Sequence, residues 1–296
     1  MQEPKDYKMK WMKWFAPVLI VLGSAGCLGG GDGWVMGTLW VDNCKNGDPL
    51  GESFDRPTTF DLHVDFFTGE SMEDSDKSVT QRRSTLVLRI QNTSNNVEVS
   101  DGLLLQIIEL DVAARSFAAG QPIPISSSNL CPGGNCTLVE DTLRASLYLY
   151  STCPDGRQAL NGSSYSLAPS PKDTTCLQSG ALAPPCPVLA DAARQSLDTM
   201  CKGDFNDRTQ APAISQLLGH GACMYLCALG DARRGQPSDE LGGFRISYGD
   251  RVAGIFSTGI VDGRAVNLQG CAGGAGEIQG MFDFELARGR SAQSFP

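Results

Sequence analysis

Apolar and polar residues alternate with period two along several stretches, the pattern of a strand with one buried and one wet face. In residues 60–66, Phe60, Leu62, Val64 and Phe66 face one way and Asp61, His63 and Asp65 the other. Leu86, Leu88 and Ile90 share one side of residues 85–91. Residues 143–150 set Leu143, Ala145, Leu147 and Leu149 against Arg144, Ser146, Tyr148 and Tyr150. Residues 277–286 set Ile278, Phe282, Phe284 and Leu286 against Gln279, Asp283 and Glu285. Residues 244–261 read as two strands around a Gly249-Asp250 turn, and residues 103–112, apolar on both faces, read as a central strand. With residues 34–41 the pattern predicts about eight strands.

One region changes period. Val188, Leu189, Ala192, Ala193, Leu197 and Met200 recur at helical spacing, and a second helical stretch is predicted from about Ala213 to Leu229, weakened by Gly219 and Gly221. The expected fold is therefore mainly β: a β-sandwich of jelly-roll type carrying a disulfide-stapled helical insertion around residues 187–230, with outer bounds of 183–234.

The N-terminal residues follow neither pattern. Lys8, Lys10 and Lys13 flank an apolar run, Trp14 to Leu22, broken only by Pro17. A bilayer-spanning helix needs roughly 20 apolar residues, so the run reads as a signal peptide. Ser24-Ala25-Gly26-Cys27 follows it and resembles the lipobox of bacterial lipoproteins, with Ser24 standing where that family usually has Leu. The resemblance covers residues 1–27. It implies cleavage before Cys27, acyl chains on its thiol and amino group, and a signal peptide at residues 1–26. Leu28 to Gly33, four of its six residues glycine, reads as a tether, and residues 34–296 as the domain it carries. In the family the residue after the cysteine influences sorting, and Leu28 is not the Asp associated with the inner membrane. The resemblance therefore implies an exported protein anchored in the outer membrane.

Eleven cysteines are present. With Cys27 acylated, an even set remains: Cys44, Cys131, Cys136, Cys153, Cys176, Cys186, Cys201, Cys223, Cys227 and Cys271. In an exported chain these read as disulfides. Cys131 could close on Cys136, Cys153 on Cys176 and Cys44 on Cys271, leaving Cys186, Cys201, Cys223 and Cys227 as a second set whose pairing stays open. The net charge of −9 excludes nucleic acid as a natural partner, because phosphate binding needs clustered Lys and Arg. It also leaves the acyl chains to supply membrane affinity.

Candidate chemistry is sparse. Asp61, His63 and Asp65 share one strand face, but such neighbours stand about 7 Å apart while ligands lie roughly 2 Å from a metal. A solvated face is the better reading. His220, Cys223 and Cys227, with Cys201, resemble zinc ligands, yet export favours their oxidation. Glu70, Glu73, Asp74 and Asp76 form an acidic loop without the spacing of a calcium-binding loop. No nucleophile elbow, phosphate loop or dinucleotide fingerprint occurs, so no enzyme is expected, and the covalent lipid on Cys27 is the expected non-protein group, with calcium at the acidic loop as the weaker alternative. Arg144, Tyr148 and Tyr150 form a possible ligand surface. The expected role is structural, adhesive or protein-binding at the cell envelope, with the bilayer and an envelope protein or glycan as partners. A glycan- or small-ligand-binding module is the alternative, and a metal-dependent hydrolase comes third.

Overall fold

The computed structural model describes residues 31–39, 58–63, 66–73, 84–91, 102–124, 143–149, 163–167, 186–219, 223–262 and 275–286. In chain order these hold β1 (Gly31–Leu39), β2 (Thr58–His63), β3 (Phe66–Glu73), β4 (Ser84–Gln91), β5 (Gly102–Ile107), α1 (Leu110–Ala119), β6 (Ile123–Pro124) and β7 (Leu143–Leu149). Then follow β8 (Ser163–Leu167), α2 (Asp191–Met200), α3 (Ala211–Leu218), β9 (Cys223–Leu229), β10 (Arg251–Asp262) and β11 (Ala275–Glu285).

The class is mainly β, and every described pairing is antiparallel. The hydrogen-bonded order is β2-β1-β11-β10-β8-β7-β5-β4-β3. Apart from the side branch of β9 and β6 and the break between β2 and β3, each strand lies beside its neighbour in chain order. This is the order of a meander; the Greek-key crossings of the expected jelly roll do not occur among the described strands. The first strand also pairs with the last, Gly31 opposite Phe284 through Leu39 opposite Gly276.

The two ends of this path are brought near each other. β2 and β3 occupy opposite edges, yet His63 and Phe66 are three residues apart and so within about 11 Å of each other. A flat sheet of this width would hold its edges several times farther apart at about 4.8 Å per strand. The sheet therefore curls, and the stretch expected from sequence to be one strand, residues 60–66, carries the chain from one edge to the other.

β10 is where the wall forks. Its residues Ile260 to Asp262 pair with β8, while Val252 to Ser257 pair with β9, across a register shift at Ala253/Gly254. β9 in turn carries the short β6. Alternation along these strands feeds two cores. One takes Val35, Leu86, Leu88, Ile90, Leu103, Leu105, Leu147, Met224, Leu226, Val252, Phe256, Ile278 and Phe282 together with Leu110, Ala113, Ala114 and Phe117 of α1. The other takes the opposite-facing Trp34, Tyr225, Ala253, Ile255 and Met281 with Leu197 of α2 and Ile214 and Leu218 of α3. Burying each such side chain contributes roughly 1.5–3 kcal/mol.

Three sequence expectations need correction. Residues 103–112 hold a strand and then α1, whose buried Leu110, Ala113, Ala114, Phe117 and Ala118 lie at helical spacing. That helix ends on Gly120 at φ 66°, with the amides of Gly120 and Gln121 donating to Phe117 and Ser116 carbonyls. The second helical stretch stops at Leu218; residues 223–229 are β9, buried by its neighbours on both faces, so periodicity alone does not separate strand from helix there. Phe244 to Tyr248 are not a strand, and β10 begins after them, at Arg251.

The β10–β11 pair depends on two glycines. Phe282 lies opposite Gly254 and Phe256 opposite Gly280, so each ring lies over a missing side chain. A Cβ at Gly280 would come 2.5 Å from the Trp34 carbonyl oxygen and 2.7 Å from the Phe256 ring. Gly280→Ala should cost about 1–3 kcal/mol by overpacking, read as a lower denaturant midpoint at unchanged slope; an unchanged midpoint would contradict this packing.

Candidate functional site

The best-defined side-chain architecture is built on β9. Cys223 and Tyr225 share one face of the strand by its period of two, and Cys227, the extra residue between Leu226 and Ala228 at the register shift, packs against the same core. α2 lies over that face and is fastened at both ends. Cys186, five residues before the helix, bonds Cys223, and Cys201, at its C-cap, bonds Cys227, with Cα separations of 5.5 and 5.3 Å. The four cysteines left open by sequence thus form two bridges, each joining the helical segment to the strand. Between the bridges Tyr225, fully buried, donates its hydroxyl hydrogen to Asp198 Oδ1 at 2.7 Å. Burial, and next the hydrogen bond to Asp198, push the Tyr225 hydroxyl well above the ordinary phenol range, against the opposing pull of Arg234.

Arg234 closes the outer edge of the same strand. Its Nη2 donates to the Leu226 carbonyl at 2.8 Å and reaches Asp198 Oδ1 at 3.3 Å, while Nη1 donates to the Phe117 carbonyl at the end of α1. The guanidinium carbon sits 4.3 Å from the Phe117 ring centre and 4.7 Å from that of Tyr225. One side chain therefore links helices from both faces of the sheet. It also occupies the Leu226 carbonyl, an acceptor that an open strand edge would present.

A second cluster fixes the start of β1. In the loop after α2, Asp204 Oδ1 accepts the Asn206 amide at 2.8 Å. The Asn206 side chain then donates to Asp32 Oδ1 at 2.8 Å and accepts from the Gly33 amide at 3.2 Å. Gly31, Asp32 and Gly33, expected from sequence to be tether, are thus the first residues of a paired strand. Strand pairing uses backbone groups, so glycine-rich composition does not prevent it. Nearby, Asp207 accepts from the Thr209 side chain and amide and from Gln210, which holds its carboxyl below the usual range.

The other predicted residues scatter. Asp61 and His63 lie in β2, in register with Met36 and Trp34 of β1. Arg144 and Tyr148 lie in β7, in register with Gln106 and Gly102 of β5. Glu70 and Glu73 lie in β3 rather than in a loop. Cys27, Cys44, Asp65, Asp74, Asp76, Cys131, Cys136, Tyr150, Cys153, Cys176, His220 and Cys271 lie outside the described residues. Cys201, Cys223 and Cys227 are bonded in disulfides, so they cannot serve as zinc thiolates. Among the described residues no group of three His, Cys, Asp or Glu is placed to hold a metal ion. No helix among them is long and apolar enough to cross a membrane.

Sequence reasoning missed Asn206, Tyr225 and Arg234. The dispersed partners of Asn206 and Arg234, up to 174 residues away, leave no local signature. No known family, characterised protein or solved structure matches the chain.

Two outcomes test this architecture. Unfolded tyrosine ionises near pH 10, and folded Tyr225 ionises higher. Its contribution is complete below about pH 10 and falls away as pH rises toward the folded value. Tyr225→Phe should flatten that alkaline loss relative to the native chain and cost about 1 kcal/mol at neutral pH, measured by denaturant titrations from pH 7 to 11. Replacing Cys201 and Cys227 together by Ser should lower stability by about 2–4 kcal/mol, and calorimetry showing no shift would contradict a bridge that holds α2 down.

Proposed function

We propose that the chain is an exported lipoprotein, anchored in the outer membrane by acyl chains on Cys27, whose disulfide-braced β domain serves a structural, adhesive or protein-binding role at the cell envelope. The observation that carries this reading is the double bridge around Tyr225. Both bridges close over Cα separations ordinary for a disulfide, 5.5 and 5.3 Å, and such a brace persists in an oxidising compartment. The lipobox-like Ser24 to Cys27 stands a few residues before β1, in the position an anchor to this domain requires. The negative net charge supports an acyl anchor over adsorption to anionic headgroups. The recurring contacts brace helices against the sheet, which suits a rigid scaffold that presents a surface to a partner.

Intact mass of the protein purified from membranes tests the reading. A chain beginning at Cys27 and heavier by a diacylglycerol and a fatty acyl group is expected, gaining about 2 Da on reduction for each bridge. An unmodified chain with another N-terminus would overturn it.

A further inference from the structure

We infer that one end of the curled sheet, the end carrying Tyr248, rests against the phospholipid bilayer; this inference builds on the acyl anchor proposed above. The geometry follows from how little chain separates Cys27 from the fold. Gly31 is already paired with Phe284 of β11, and Asp32 and Gly33 are held by Asn206. Four residue steps from Cys27 to Gly31 span at most about 14 Å. β1 itself, with nine residues, is roughly 30 Å long. The anchored cysteine therefore cannot reach past the opposite end of the sheet, and the domain meets the membrane with the end where β1 begins.

That end can be read from the hydrogen bonds. Beyond Phe284, the Leu286 carbonyl accepts from the Gly249 amide and the Leu286 amide donates to Asp250. Residues 248–250 therefore lie beside the point where the chain toward Cys27 leaves the sheet. Among the described residues two large apolar side chains are exposed, Tyr248 at 62% and Val188 at 88%. Val188 lies away from this end. Val188 is two residues from Cys186, which bonds Cys223, and Cys223 pairs with Ser257, six positions up β10 from Arg251. An exposed tyrosine suits the boundary between headgroups and water, where its ring finds apolar contact and its hydroxyl stays wet. The headgroup layer adds only about 5–7 Å per leaflet, so even a fully extended leash of about 14 Å keeps this end within roughly 7–9 Å of the headgroup surface. Asp32, Asp204 and Glu285 share this end, so contact does not depend on attraction to anionic lipid.

The test uses the full acylated protein in phosphatidylcholine vesicles carrying bromine on their acyl chains, with native emission subtracted. For Tyr248→Trp, the bromolipid should quench at least half of the added emission, whereas for Val188→Trp it should leave the added emission unchanged. If the vesicles carry the protein on flotation but Tyr248→Trp is unquenched, or Val188→Trp is quenched instead, the docking surface is wrong and the anchor stands. Failure to float with vesicles at all would overturn the anchor, and the docking surface with it.

Discussion

Two disulfides that leave one strand four residues apart set the architecture around β9. Because Cys223 and Cys227 pack against the same core, their partners Cys186 and Cys201 must straddle a helix lying over it. α2 is then held at both ends, and the residue between the bridges, Tyr225, is sealed beneath it with Asp198 as its one polar outlet. The consequences spread outward. α3 packs beside α2 over Trp34, Ile255 and Met281. The loop between the helices is brought to the start of β1, where Asn206 secures Asp32 and Gly33.

The opposite face answers the same strand through a different device. Met224 and Leu226 turn toward α1 and the larger core, and Arg234 threads between the Phe117 and Tyr225 rings at the strand's edge. Its partly exposed pairing with Asp198 contributes little as an ion pair. The stacked guanidinium and its bonds to two backbone carbonyls matter more, since hydrogen bonds from a charged donor contribute more than an exposed ion pair. β9 is thereby clamped from both sides, although it is a branch of the sheet and not part of its main path.

Much of the sheet was legible in the sequence, because period two is a strong signal where one face is buried and the other wet. β4, β7 and β11 carry it plainly. Where both faces are buried the signal vanishes. β9 therefore reads as helix, and the start of α1 is hidden in the apolar run of β5 even though Leu110, Ala113, Ala114 and Phe117 carry helical spacing. Connectivity was not legible either. A sandwich and a meander share the same alternation, and the chain's passage between sheet edges at residues 63–66 is set by contacts far apart in sequence. The cysteine set around the helices could be read, but its pairing could not, since spacing alone permits three arrangements of four cysteines. Asn206 and Arg234 left no trace, because each acts on residues that only the fold brings near.

The proposed envelope role rests on this brace. With Cys27 acylated as proposed, the domain would sit at the membrane surface and its braced geometry would set which side a partner meets. Peptide mapping after proteolysis without reduction tests that geometry most directly. Cross-linked fragments joining Cys186 to Cys223 and Cys201 to Cys227 are expected. Bridges of Cys186 with Cys201, or of Cys223 with Cys227, would free α2 from β9 and contradict the account.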